Sequence, residues 1–283
     1  MLERGRRWTR WGALKHPAQS QGRPAGLYHR DFGGAGEPAI VILHGMLGSS
    51  RNWTAVGREL SEARRVYALD LRNHGMSPHA DSMTYDEMAQ DVIGWLDERG
   101  LAQAELVGHS MGGKVAMVLA CRQPGRVSWL VVVDIAPRDY HWPAHRAELA
   151  AMLELDLGDL RSRAEAEMRM EGRVGDWAMR KFMATNLERT HGGAWRWQVN
   201  LPVIAASLGS LERNPLGEAD RYAGPALFIT GAKSGYVRAA DHAAILGHFP
   251  MARIETLAGC GHNPHIEARE AFVRAVLARG GPR

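Results

Sequence analysis

The run Gly108-His109-Ser110-Met111-Gly112-Gly113 carries the most specific chemistry in this chain. An apolar stretch precedes it and a helical run follows. It therefore reads as a strand, a tight Gly-x-Ser-x-Gly turn and a helix start, the nucleophile elbow that lifts one serine hydroxyl clear of the backbone. In a chain with 32 glycines the pattern alone is weak, and this context makes it strong. A serine hydroxyl attacks only when a base takes its proton. Of the 13 histidines, His262 is the best base, since it ends the loop Ala258-Gly259-Cys260-Gly261-His262 after a strand-like run and the two glycines suit a sharp turn. His265 is the second choice. The developing oxyanion needs backbone N–H donors. Met111, just after the nucleophile, supplies one, and the loop His44-Gly45-Met46-Leu47-Gly48 after the first apolar run supplies the other at Met46. That loop has no Gly-Lys-Ser/Thr ending, which excludes a phosphate loop.

These residues need a scaffold that delivers them to one place. Apolar runs at 38–43, 65–69, 105–107, 129–133, 226–230 and 253–257 have the length and composition of buried parallel strands. Thr84 and Glu87 form a capping-box pattern ahead of Met88, Val92, Trp95 and Leu96 at helical spacing, and Phe272, Val273, Val276 and Leu277 mark a closing helix. The alternation predicts an α/β fold, a mostly parallel twisted sheet flanked by helices. Strand signals stop at 136 and resume at about 222, and the stretches between read as helical. A helical cap at 136–222, inserted before the strand at 226–230, fits that break, because such sheets bind ligands over their C-terminal strand ends. The core is then 26–135 and 223–283, behind a basic, flexible tail at 1–25.

Apolar content of 45% and charged content of 23% are those of an ordinary globular chain. The net charge of +4 is mild and gives no case for nucleic acid. Much of it sits early, where Arg4, Arg6, Arg7, Arg10, Lys15, Arg23 and Arg30 face only Glu3. No apolar core follows those arginines, so they are not a secretory signal, and no run approaches the ~20 apolar residues of a membrane span. Two cysteines, Cys121 and Cys260, are too few for a disulfide framework and point to a reducing compartment, the cytoplasm, with an organelle address in the basic N-terminus as the minor alternative.

The His-Gly loop and the Gly-His-Ser-Met-Gly-Gly-Lys elbow stand together with Asp70-Leu71-Arg72-Asn73-His74-Gly75-Met76-Ser77, Val133-Asp134-Ile135-Ala136-Pro137 and Pro225-Ala226-Leu227-Phe228-Ile229-Thr230-Gly231. As a set they resemble the α/β-hydrolase superfamily, and more narrowly the YbfF-like small bacterial serine esterases and their mitochondrial relatives, over residues 26–280. The resemblance implies the α/β-hydrolase fold and a serine carboxylesterase that uses no cofactor and no metal on a small-molecule ester. It also implies the acid. Most members carry a carboxylate after the strand at 226–230, where this chain has Gly231-Ala232-Lys233-Ser234. Asp134 ends the preceding strand, 24 residues after Ser110, as in the YbfF-like group. Ser234 is then an auxiliary group that bonds to Asp134 or His262, while Asp70, Arg72, Gly75 and Ser77 shape the core. Asn263 stands where the family has Trp, so substrate preference does not carry over. The same parts serve thioesterases, acyltransferases and carbon–carbon bond hydrolases, and the fold also hosts non-catalytic receptors. Among lesser features, Cys260 reads as a small packed residue and Lys114 as a packing or surface group. Core packing accounts for most of Trp142, Trp177, Trp195 and Trp197 in the inserted region, and with Met152, Met168, Met170, Met179 and Met183 they are also expected to line an apolar acyl pocket.

Overall fold

The computed structural model of the chain describes residues 26–278, so the expected tail at 1–25 lies outside the described residues. The expected strands form as β2 (Ala39–Leu43), β3 (Val66–Leu69), β4 (Ala104–His109), β5 (Val127–Val133), β8 (Ala226–Gly231) and β9 (Ala252–Leu257). With β1 (His29–Gly33) they make one seven-stranded sheet in the order β1-β3-β2-β4-β5-β8-β9. All pairings are parallel except that of β1. The strand β1 carries no signal in the sequence because it is a half-exposed edge strand, His-Arg-Asp-Phe-Gly, with no apolar run.

Side chains alternate across each central strand, and both faces are covered. Ile40, Ile42, Val131, Val133, Leu227 and Ile229 face one way. There they pack on α1 (Thr54–Ser61) and α10 (Arg269–Leu277). Val41, Leu43, Leu130, Val132 and Phe228 face the other. That side packs on α2 (Tyr85–Glu98), α3 (Met111–Arg122) and α8 (His242–His248). The α2 capping box forms as expected, with Thr84 accepting from the Glu87 amide.

Register decides where the site lies. Leu43 pairs with Gly108, His109 with Val133, Val133 with Ile229 and Gly231 with Leu257. Parallel strands end on the same edge, so the chain leaves the sheet at His44, Ser110, Asp134, Ala232 and Ala258 side by side.

Between β5 and β8 lie α4 (Pro143–Glu154), α5 (Arg163–Arg169), α6 (Trp177–Ala184) and α7 (Leu201–Leu211). The segment also holds a hairpin of β6 (Leu187–Arg189) and β7 (Trp195–Trp197), which corrects the expectation of helices alone. Strands of three residues are too short to display a period. Their turn closes through Thr190 N–H to Ala194 O at 2.8 Å, with Gly193 at φ 83°. Leu149, Met152, Met170, Met183, Ile204 and Leu208 join the apolar cluster of the α2–α3 face. Met168 and Trp177 are 67% and 58% exposed, so they do not line an interior pocket. Met168 sits two residues past buried Ala166, on the opposite side of the helix. Among the described residues no helix is long and apolar enough to cross a membrane.

Candidate active site

Ser110 sits between β4 and α3 with φ 50° and ψ −116°, a conformation L-residues avoid. Its N–H donates to Val133 O at 3.0 Å, and its carbonyl accepts from Lys114 N–H at 3.1 Å. A Cβ on Gly108 would lie 2.3 Å from Gly112 O, and one on Gly112 would lie 2.4 Å from Leu43 O. Only glycine allows the strand, the turn and the neighbouring strand end to approach this closely.

Asp134, also at positive φ (51°), follows β5 next to Ser110 and is 1% exposed. Its carboxylate is fully engaged. Oδ1 accepts from Gly231 N–H at 3.1 Å, and Oδ2 accepts from the Ser234 hydroxyl and from His262 Nδ1–H at 2.8 Å. Of the two partners offered for Ser234, the hydroxyl takes Asp134. A Cβ on Gly231 would lie 2.0 Å from Gly261 O, so the missing side chain lets the His262 loop settle on the end of β8. With Nδ1–H turned to Asp134, the Nε2 lone pair of His262 is left to accept a proton. Asp241 instead meets Arg138 at 3.0 Å, and Asp220 meets Arg122 at 3.0 Å.

The serine and the histidine are brought together by His109. Its Nε2–H donates to His262 O at 2.8 Å, and the two rings lie 4.7 Å apart. Among the described residues no hydrogen bond joins the Ser110 hydroxyl to His262. Such bonds are often long without substrate and tighten in the reacting complex. His265, the second-choice base, is stacked on Trp53 at 4.2 Å and is 3% exposed. Burial lowers it to about 3, so it cannot hold a proton at neutral pH.

The His44–Gly48 loop lies against the elbow, since a Cβ on Gly45 would meet His109 Nδ1 at 2.8 Å and Ser110 Cβ at 3.3 Å. Two neutral imidazoles hold the loop. His44 donates from Nδ1 to Gly45 O at 2.8 Å and accepts Leu71 N–H at Nε2, 3.0 Å. His74 accepts Leu47 N–H at 3.2 Å and donates to Arg72 O at 3.0 Å. Burial pushes His44 down and takes His74 to about 3, with His44 adding to the latter shift. The amide of Gly48 is thus used inside the loop, on Gly45 O, and that of Leu47 on His74, whereas that of Met46 has no acceptor among the described residues. Asp70 accepts from Ser50 N–H at 2.6 Å and Met76 N–H at 2.8 Å, the structural role expected of it.

Several neighbours escaped the sequence reading. Glu267 accepts from Gly261 N–H at 2.9 Å and Asn263 N–H at 3.2 Å, clamping the backbone on either side of His262. Lys114 is fully buried and not a surface group. Its Nζ donates to Arg213 O at 2.6 Å and Glu212 O at 3.3 Å, at the end of α7, with the Tyr140 ring 5.0 Å away. Burial lowers it to about 7. Cys260 is packed, as expected, with burial raising its thiol. No local pattern marks Glu267, while Lys114 inside an otherwise apolar helix face was a readable signal of burial.

The α/β-hydrolase fold family matches residues 38–269. The chain belongs to the α/β-hydrolase fold family. It is 38% identical over 264 residues to the mouse (Mus musculus) sn-1-specific diacylglycerol lipase ABHD11, covering 90% of this chain and 85% of that one. It is 35% identical over 240 residues to the Escherichia coli (strain K12) esterase YbfF, covering 84% and 91%. Among solved structures, a marine microorganism esterase superposes with a TM-score of 0.87 at 33% identity, covering 90% of this chain and 99% of the other. This α/β-hydrolase therefore has relatives named for ester cleavage, as its motifs implied.

Proposed function

We propose that this chain is a serine hydrolase that cleaves a small-molecule ester of small or medium acyl group through an acyl-enzyme on Ser110. Ser110 Oγ attacks the carbonyl carbon while His262 Nε2 takes the hydroxyl proton. The carbonyl oxygen becomes an oxyanion that the Met46 and Met111 N–H groups stabilise. Collapse of the intermediate breaks the ester C–O bond, and His262 returns the proton to the departing alkoxide. Water then attacks the acyl-enzyme by the same route, giving the carboxylic acid and free Ser110. Asp134 keeps His262 in the Nδ1–H tautomer, and Ser234 assists by bonding to Asp134. The reaction so written calls on neither metal nor cofactor.

The observation that carries this reading is the 2.8 Å His262–Asp134 hydrogen bond, made one strand away from the strained Ser110 elbow. The names of the relatives favour an ester. Residues 136–222 act as a cap on a core of 26–135 and 223–283. Supporting this, Asn186 Nδ2 of the inserted segment donates to Leu47 O, beside the oxyanion loop, at 3.0 Å. The unpaired Cys121 and Cys260 favour a reducing compartment, the cytoplasm.

Turnover of p-nitrophenyl butyrate by the wild-type chain and by Ser110→Ala tests the reading. Loss of kcat on the order of 10⁶-fold in a folded variant is expected. Retention of a tenth of the activity would remove Ser110 from the mechanism.

A further inference from the structure

One face of the His262 imidazole is covered by Tyr236, with ring centroids 3.6 Å apart and planes 15° from parallel. Tyr236 is held from several directions. Its N–H donates to Ser234 Oγ at 3.1 Å, and its carbonyl accepts from the Tyr140 hydroxyl at 2.8 Å and from Arg138 at 3.2 Å. Ser234 in turn donates to the Asp134 oxygen that His262 bonds. A closed circuit results: Tyr236 N–H to Ser234, Ser234 to Asp134, His262 to Asp134, and the His262 ring back onto Tyr236. We propose that Tyr236 is a positioning residue for the base, fixing the tilt of the imidazole and favouring the imidazolium formed when Ser110 gives up its proton. The inference rests on His262 being the base.

A stacked ring removes the freedom of His262 to swing away from Asp134, and its negative π face attracts the cation. Burial pushes the Tyr236 hydroxyl up to about 12, so the ring stays neutral. The other groups facing His262 are Asp134 at the end of β5, His109 at the end of β4, and His265 on α9 (Pro264–Glu267). Burial, its largest cause in both, holds His109 and His265 uncharged at neutral pH. At the far end of Tyr236, α4 places His145, bonded to Glu148 at 2.6 Å, with Nε2 3.5 Å from the hydroxyl.

The test compares wild type, Tyr236→Leu and Tyr236→Phe in kcat and KM for p-nitrophenyl acetate from pH 5 to 9, with Ser110→Ala alongside. Leu covers the imidazole without a π face, and Phe keeps that face. For Leu, kcat should fall about 10- to 100-fold with KM changed less than about threefold, as expected of a misplaced catalytic group. Its acid limb of kcat/KM should move to lower pH by roughly 0.5, because losing the π face disfavours the protonated, inactive base. Phe should restore both. If Leu does not fold, Tyr236→Met makes the same comparison. Wild-type kcat and an unmoved limb in the Leu or Met variant, or losses in Phe equal to those in Leu, would overturn the inference. Substantial activity in Ser110→Ala would instead overturn the serine mechanism itself.

Discussion

Asp134 ties three parts of the site together: its two oxygens serve Gly231, Ser234 and His262. Asp134→Asn should cost on the order of 10⁴-fold in kcat, because an amide that donates to Nδ1 selects the wrong imidazole tautomer. Steady-state hydrolysis of p-nitrophenyl butyrate measures this, and a loss under tenfold would mean another group orients His262. Ser234→Ala removes one charge-assisted bond of about 1.5–3 kcal/mol but leaves the other two. It should therefore lower kcat by about tenfold, well short of the Asp134 effect. Ser110 and His262 were readable because a local turn motif marks one and a glycine-flanked loop marks the other. Asp134 was not readable from residue types alone, since Asp70 also ends a strand. Resemblance singled it out, and the register of β5 beside β4 places it next to Ser110. Tyr236 and Glu267 left no trace, because stacking and loop clamping depend on which loops meet in space.

At the scale of elements, the elbow works by leaving no room. Gly112→Ala forces a Cβ to 2.4 Å from Leu43 O, a backbone atom that cannot step aside. The variant should lose about 3 kcal/mol or more. Urea unfolding would show this as a lower midpoint, and an unchanged midpoint would mean that the turn is looser than described. Lys114 ties the same helix to the end of α7 through Arg213 O and Glu212 O. Lys114→Met removes the charge-assisted bond to Arg213 O, while Glu212 O keeps the Tyr140 N–H at 2.7 Å, and should cost about 1–3 kcal/mol in the same experiment. The central strands announced themselves as continuous apolar runs because both faces are buried. The edge strand β1 and the hairpin β6–β7 did not, one being half-exposed and the other too short to show alternation.

For the molecule as a whole, buried neutral histidines set the response to acid. His74 and His265 are both lowered to about 3, burial being the main cause, against about 6.5 in an unfolded chain. Between those values the unfolded chain binds more protons, so stability is intact above pH 6.5 and is lost as pH falls toward 3. At pH 5 the two together should cost about 4 kcal/mol, a fall in Tm of roughly 10 °C from pH 7.5. Equal Tm at both pH values would contradict the burial of these rings. The central claim, a single serine that carries the acyl group, is tested most directly by mapping the covalent adduct of a fluorophosphonate probe. Peptide mass spectrometry should find one phosphonyl group per chain, on Ser110, with hydrolysis lost in proportion to labelling. Full hydrolysis by a fully labelled chain, or an adduct on any other residue that accounts for the lost activity, would contradict it.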